Sequence, residues 1–89
     1  MFNSYLVEFF GTCFLVFIIL ATGNPVAIAC AYALAVIMIK DISGGHINPV
    51  VSIVMASLGN IEISELVPYI LAQVFGGLVA LELYKRIQL

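Results

Sequence analysis

The stretch "SGGHINPVVSIVMASLGN", residues Ser43 to Asn60, decides how the rest of the chain is read. Gly44-Gly45 permits a tight, non-helical backbone. Asn48 is a good helix N-cap, and Pro49 suits the first helical position, where its missing N–H costs nothing. The apolar helix that follows runs only to Leu58, where Gly59-Asn60 stops it. About ten residues give roughly 15 Å, half of the ~30 Å hydrocarbon core of a bilayer. Such a helix does not cross; it is a re-entrant or a core segment. Irregular backbone of the kind that feeds it survives in lipid only where protein or a water-filled cavity covers it. The stretch therefore reads as the lining of something wet.

The flanking sequence supplies the membrane. The chain has 89 residues, of which 64% are apolar and only 9% charged, which excludes a soluble globular domain of this size. A net charge of −2, with no basic stripe to neutralise phosphates, excludes nucleic acid as a partner. The N-terminus has no basic region, and the first apolar run is longer than a signal-peptide core, so that run is expected to be retained. The spacing predicts one all-α membrane domain over 1–89. Its parts are a span over about 4–22, a second over about 25–40, the half-helix over about 48–58 and a third span over about 65–86. The second apolar core, Val26 to Ile39, is short, at roughly 21 Å. Its Ala27, Ala31 and Ala35 form a small-residue stripe that lets a neighbouring helix approach, as do Ala72, Gly76-Gly77 and Ala80 later. Ser64 is the expected cap of the last span, with Pro68 in its first turn and Lys85 and Arg86 at its C-terminal end. Cys13 and Cys30 are expected to be buried free thiols.

The chemistry suggested by these residues is non-covalent. A half-helix N-terminus near the midplane would point unpaired N–H groups and a positive dipole end into the wet space. Asn48 can cap its own helix with its oxygen and present its NH2 donors to a passing solute. A donor-only constriction disfavours cations, protons included. Glu8 lies inside an apolar helix, and an intramembrane acid is usually paired and functional. His46 reads as a structural donor to the loop rather than a proton relay or a metal ligand. Lys40 reads as a snorkelling surface cation. No enzyme activity, cofactor or metal is expected.

"SGGHINPVVS" resembles the signature loop of the aquaporin (major intrinsic protein) family, which reads roughly S-G-[AG]-H-x-N-P-A-[VT]-[ST]. "VEFFGTCFLVF" is similar to the family's first helix, "AYALAV" to its second and "YILAQVFGG" to its third. Four motifs in order are specific, where a lone Asn-Pro-Val is not. The resemblance implies half of an aquaporin-like fold, and a channel for water or small neutral solutes. It implies that Asn48 faces the pore, with Pro49 and Val50 completing the motif and Val replacing the usual Ala. It implies that Ser43, Gly44, Gly45 and His46 form an extended limb whose carbonyls make a ladder of acceptors. Glu8 and Gln73 would be buried braces of that loop, and Tyr32 the aromatic at the narrow constriction.

The chain also departs from the family pattern. The interval between Tyr32 and Asn48 differs by about one helical turn from the family's spacing. The family's selectivity arginine follows a second motif; here Val51 follows Asn48-Pro49-Val50, and Arg86 lies at the wrong end of a span. The family pore needs two inverted halves, and this chain carries one. The other "NPV", at Asn24 to Val26, follows a complete span and reads as ordinary N-cap chemistry. The missing half is thus expected from a second, inverted copy, giving an antiparallel dimer per pore and possibly an octamer around a fourfold axis. Lys40 and the amino terminus on one side balance Lys85 and Arg86 on the other, as dual topology requires. The rival expectations are an incomplete half that needs a non-identical partner, and a non-conducting structural membrane protein.

Overall fold

The computed structural model describes residues 2–87. It is all-α among those residues, with four helices in order: α1 (Phe2–Thr22), α2 (Pro25–Ser43), α3 (Pro49–Leu58) and α4 (Ile63–Ile87). Three of them are long and apolar enough to cross a membrane, and α3, at 10 residues, is not. Large apolar side chains such as Phe10, Ile37, Met38, Val67 and Phe75 stand exposed on the outward faces, an arrangement that suits lipid and not water. The chain is an integral, multi-pass membrane protein.

The helix ends follow from local chemistry. Asn24 caps α2, its side-chain oxygen accepting from the N–H groups of Val26 and Ala27 at 2.9 and 3.0 Å. Gly44 ends α2 in the left-handed conformation (φ 94°), its N–H donating to the Lys40 carbonyl at 3.0 Å. Lys40 and Asp41 are therefore helical rather than the mark of its end. The helix has 19 residues, about 28 Å, and is not short. Gly44 is the first residue after the apolar run that takes the left-handed cap without a Cβ penalty. At the other boundary α4 begins at Ile63, so Ser64 lies inside it and Pro68 in its second turn. The N–H that Pro68 lacks would have met the carbonyl of Ser64, an exposed residue, where water can serve.

α1 is the axis of the bundle. It runs parallel to α4, with Tyr5 against Tyr69, Glu8 against Gln73 and Val16 beside Gly77. It runs antiparallel to α2, with Ser4 bonded to Ile42, Glu8 to Ser43 and Gly11 beside Ile39. A Cβ on Gly76 would overlap the Phe9 carbonyl oxygen, so the α1 and α4 backbones touch there. Ala31 and Ala35 are buried with Leu15, Ile39 and Ile47 in the main apolar core. The cysteines depart from expectation in their burial: both are free, but Cys13 on α1 is half-buried, and Cys30 is exposed because the stripe that α2 turns inward passes through Ala31 and Ala35.

The same pairings show the re-entrant path. Ser43 ends α2 level with Glu8, Ile47 has descended to Gly11, and α3 climbs back until Met55 and Asn60 share a polar pocket with Ser4 and Glu65. α3, at 10 residues, thus packs against α4 over part of its length only.

Candidate functional site

Glu8 organises the interior. It is fully buried, and its two carboxylate oxygens accept four hydrogen bonds. Oε2 takes the Ser43 hydroxyl at 2.7 Å and the His46 N–H at 2.9 Å. Oε1 takes the Ile47 N–H at 2.7 Å and the Gln73 side-chain amide at 3.1 Å. Four donors fill the acceptor sites of a carboxylate, so α1, the end of α2, the loop and α4 are tied at one point.

A second shell of bonds locks the loop against α3 and α4. Gln73 Nε2 also donates to Ser52 Oγ at 2.9 Å. Ser52 Oγ lies 2.8 Å from His46 Nδ1; accepting from Gln73, it has its own hydrogen to give to that nitrogen. The His46 ring stacks at a tilt on Tyr69, centroids 4.9 Å apart. Tyr69 donates its hydroxyl to the Ser43 carbonyl at 2.8 Å, and Tyr32 donates its own to the His46 carbonyl at 3.1 Å.

Ile47 carries the strain. Its φ is +57°, the left-handed region that a β-branched residue rarely enters. The Glu8 bond to its N–H and the burial of its side chain in the apolar core hold it there. The turn at Ile47 delivers Asn48 in an extended conformation, with its Oδ1 accepting from the Val50 N–H at 2.7 Å. Capping through the oxygen turns the two Nδ2 donors of Asn48 away from the helix. Asn48 and Pro49 are half-buried and Val50 is exposed, so the motif sits at the open edge of the bundle.

One sequence expectation needs correction. Ser43 is the last residue of α2, not part of an extended limb; its hydroxyl is committed to Glu8 and its carbonyl to Tyr69. Any ladder of carbonyls begins after it, at Gly44 and Gly45. Tyr32 is tethered to the loop, its hydroxyl donating to the His46 carbonyl. Ser52 and Tyr69 were not singled out from the sequence. The signal was spacing: Tyr69 and Gln73 are four apart on α4, as are Asn48 and Ser52 at the start of α3, and residues four apart share a helix face. Among the described residues no group of His, Cys, Asp and Glu side chains is placed to hold a metal ion.

Below α3 lies an open apolar groove of about 510 Å³ between α1 and α4. Ile47 and Pro49 form its upper end; Val16 and Leu20 line one wall, Gly77 and Leu81 the other.

The major intrinsic protein family matches the chain over residues 1–88. The glycerol uptake facilitator protein-like 6 of Lactiplantibacillus plantarum is 39% identical over 87 residues, covering 88% of this chain and 40% of that protein. Aquaporin Z of Rhodopseudomonas palustris is 36% identical (88% and 39% covered), and aquaporin Z of Brucella melitensis 38% identical (90% and 42% covered). The chain thus spans about two fifths of the length of these curated relatives. No solved structure matches it.

Proposed function

The chain belongs to the major intrinsic protein family, and from that premise we propose that it supplies one half of a passive channel for water or small neutral solutes. The observation that carries the reading is the Glu8 cradle. Four bonds and a left-handed isoleucine hold a half-helix N-terminus at the open edge of the bundle, with the Asn48 amide donors turned outward. Polar groups buried in lipid at this density are costly, and a mere anchor has no use for them. A wall of fixed N–H donors orients the oxygen of a neutral solute and repels cations.

The other half of the pore comes from a second copy, inverted. In this arrangement the partner's α3 lies in the groove below Pro49, the two half-helix N-termini meet near a twofold axis in the membrane plane, and both Asn48 residues face one path. Gly44, Gly45 and His46 line the approach with Asn48, Pro49 and Val50, while Glu8 and Gln73 act through the loop. A second reading is favoured by the coverage of about two fifths: a non-identical half completes the pore.

Stopped-flow swelling of proteoliposomes made from this chain alone separates the two. The homomeric channel gives permeability well above the lipid background; background permeability defeats it and leaves the non-identical partner. In the conducting assembly Asn48→Asp should lower flux by placing a charge at the midplane, and undiminished flux would remove Asn48 from the path.

A further inference from the structure

Two buried polar atoms have no hydrogen-bond partner among the described residues: Thr12 Oγ1 and Gln73 Oε1. Both residues are more than nine-tenths buried, and both line the groove between α1 and α4 below Pro49. The Gln73 orphan is not an accident of rotamer choice. The Gln73 amide is fixed by its other end, since Nε2 donates to both Glu8 and Ser52. Turning the amide over would set its oxygen against the Glu8 carboxylate, so Oε1 is forced to face away from the cradle. Every other buried helical hydroxyl has a partner, Ser43 in Glu8 and Ser52 in His46 and Gln73, and the hydroxyls of Thr22 and Ser57 bond back to the Ile18 and Ile53 carbonyls at 2.8 and 2.9 Å. Thr12 does not, and its hydroxyl is left for the groove.

We propose that the groove holds a fixed water molecule at its upper end, donating to Gln73 Oε1 and hydrogen-bonded to Thr12 Oγ1. Gln73 Oε1 only accepts, so it requires a donor; a hydroxyl both gives and takes; water satisfies both atoms at once, and the groove has room for it. The water extends the Glu8 cradle from the loop into the space below the half-helix. It fixes the amide that donates to both Glu8 and Ser52. The site stands whether or not the chain conducts, and its test does not read flux.

Thr12→Val separates the bound water from an empty niche by sign. Valine keeps the shape and removes the hydroxyl. If the niche is empty, the substitution removes an unsatisfied polar atom, and the thermal midpoint of the detergent-solubilised protein stays level or rises. If water is bound, its anchor is lost and the midpoint falls by roughly 5 °C. A level or raised midpoint for Thr12→Val overturns the proposal. A crystal structure of the unaltered chain that resolves ordered solvent gives an independent reading: a water peak about 3 Å from both atoms supports the site, and a side chain or no density in that place overturns it.

Discussion

The tripeptide Asn-Pro-Val occurs twice, and the two copies begin from the same backbone. Gly23 before Asn24 has φ +56°, and Ile47 before Asn48 has φ +57°. Each asparagine is extended and caps the helix behind it with its side-chain oxygen. There the likeness stops. Gly23 takes the left-handed conformation freely, and a Cβ there would meet nothing within 4 Å. Ile47 takes it under constraint, held by Glu8 and the apolar core. Behind Asn24 stands a helix of 19 residues; behind Asn48 stands one of 10. A local motif sets a cap, and its surroundings decide whether that cap is a surface turn or a site.

The comparison breaks most severely at Glu8. Glu8→Ala orphans four buried donors at about 1–3 kcal/mol each, enough to unfold the loop and to lower the stability of the chain by several kcal/mol. Equilibrium unfolding in mixed micelles should show it; an unchanged midpoint would mean the loop holds itself. Next comes the strain. Gly23→Ile places at the first triplet what the second already bears, in open space, so the loss reads backbone alone: about 1–2 kcal/mol. A neutral result would remove the argument that Glu8 sustains a strained residue at position 47. The smallest effect belongs to the first cap. Asn24→Ala should lose about 1 kcal/mol and leave flux through the conducting assembly intact, whereas Asn48→Ala should lose a comparable amount together with flux. Equal loss of flux from both would erase the distinction between the triplets.

Much of the site was legible in the sequence, because each piece carried a local signal. An acid in an apolar helix, a glutamine in another, and a Gly-Gly-His approach to an Asn-Pro pair all ask for partners in a membrane. Ser43 misled because α2 runs on to Ser43, past the span expected to end near 40, and because its carbonyl partner, Tyr69, is 26 positions away. The reach of Tyr32 to the His46 carbonyl was hidden for the same reason: it depends on how α2 is rotated against the loop, and helical periodicity does not set that rotation. Apolar neighbours alone suggest burial for Cys30, yet in a chain whose outer surface meets lipid they say nothing about which face is inside.

By itself the sequence determined the elements: three runs long enough to cross, one too short, and the caps and glycines that bound them. These follow from hydrophobic length and from the satisfaction of helix-end N–H and C=O groups, which neighbouring residues decide. Only the tertiary structure decided that α1 and α4 run parallel in backbone contact, that Glu8 gathers donors from residues 35 to 65 positions away, and that Ile47 is held left-handed as a result. Those facts rest on close packing between helices. A single glycine at Gly76, with no Cβ to hold the backbones apart, brings the two polar faces within bonding reach.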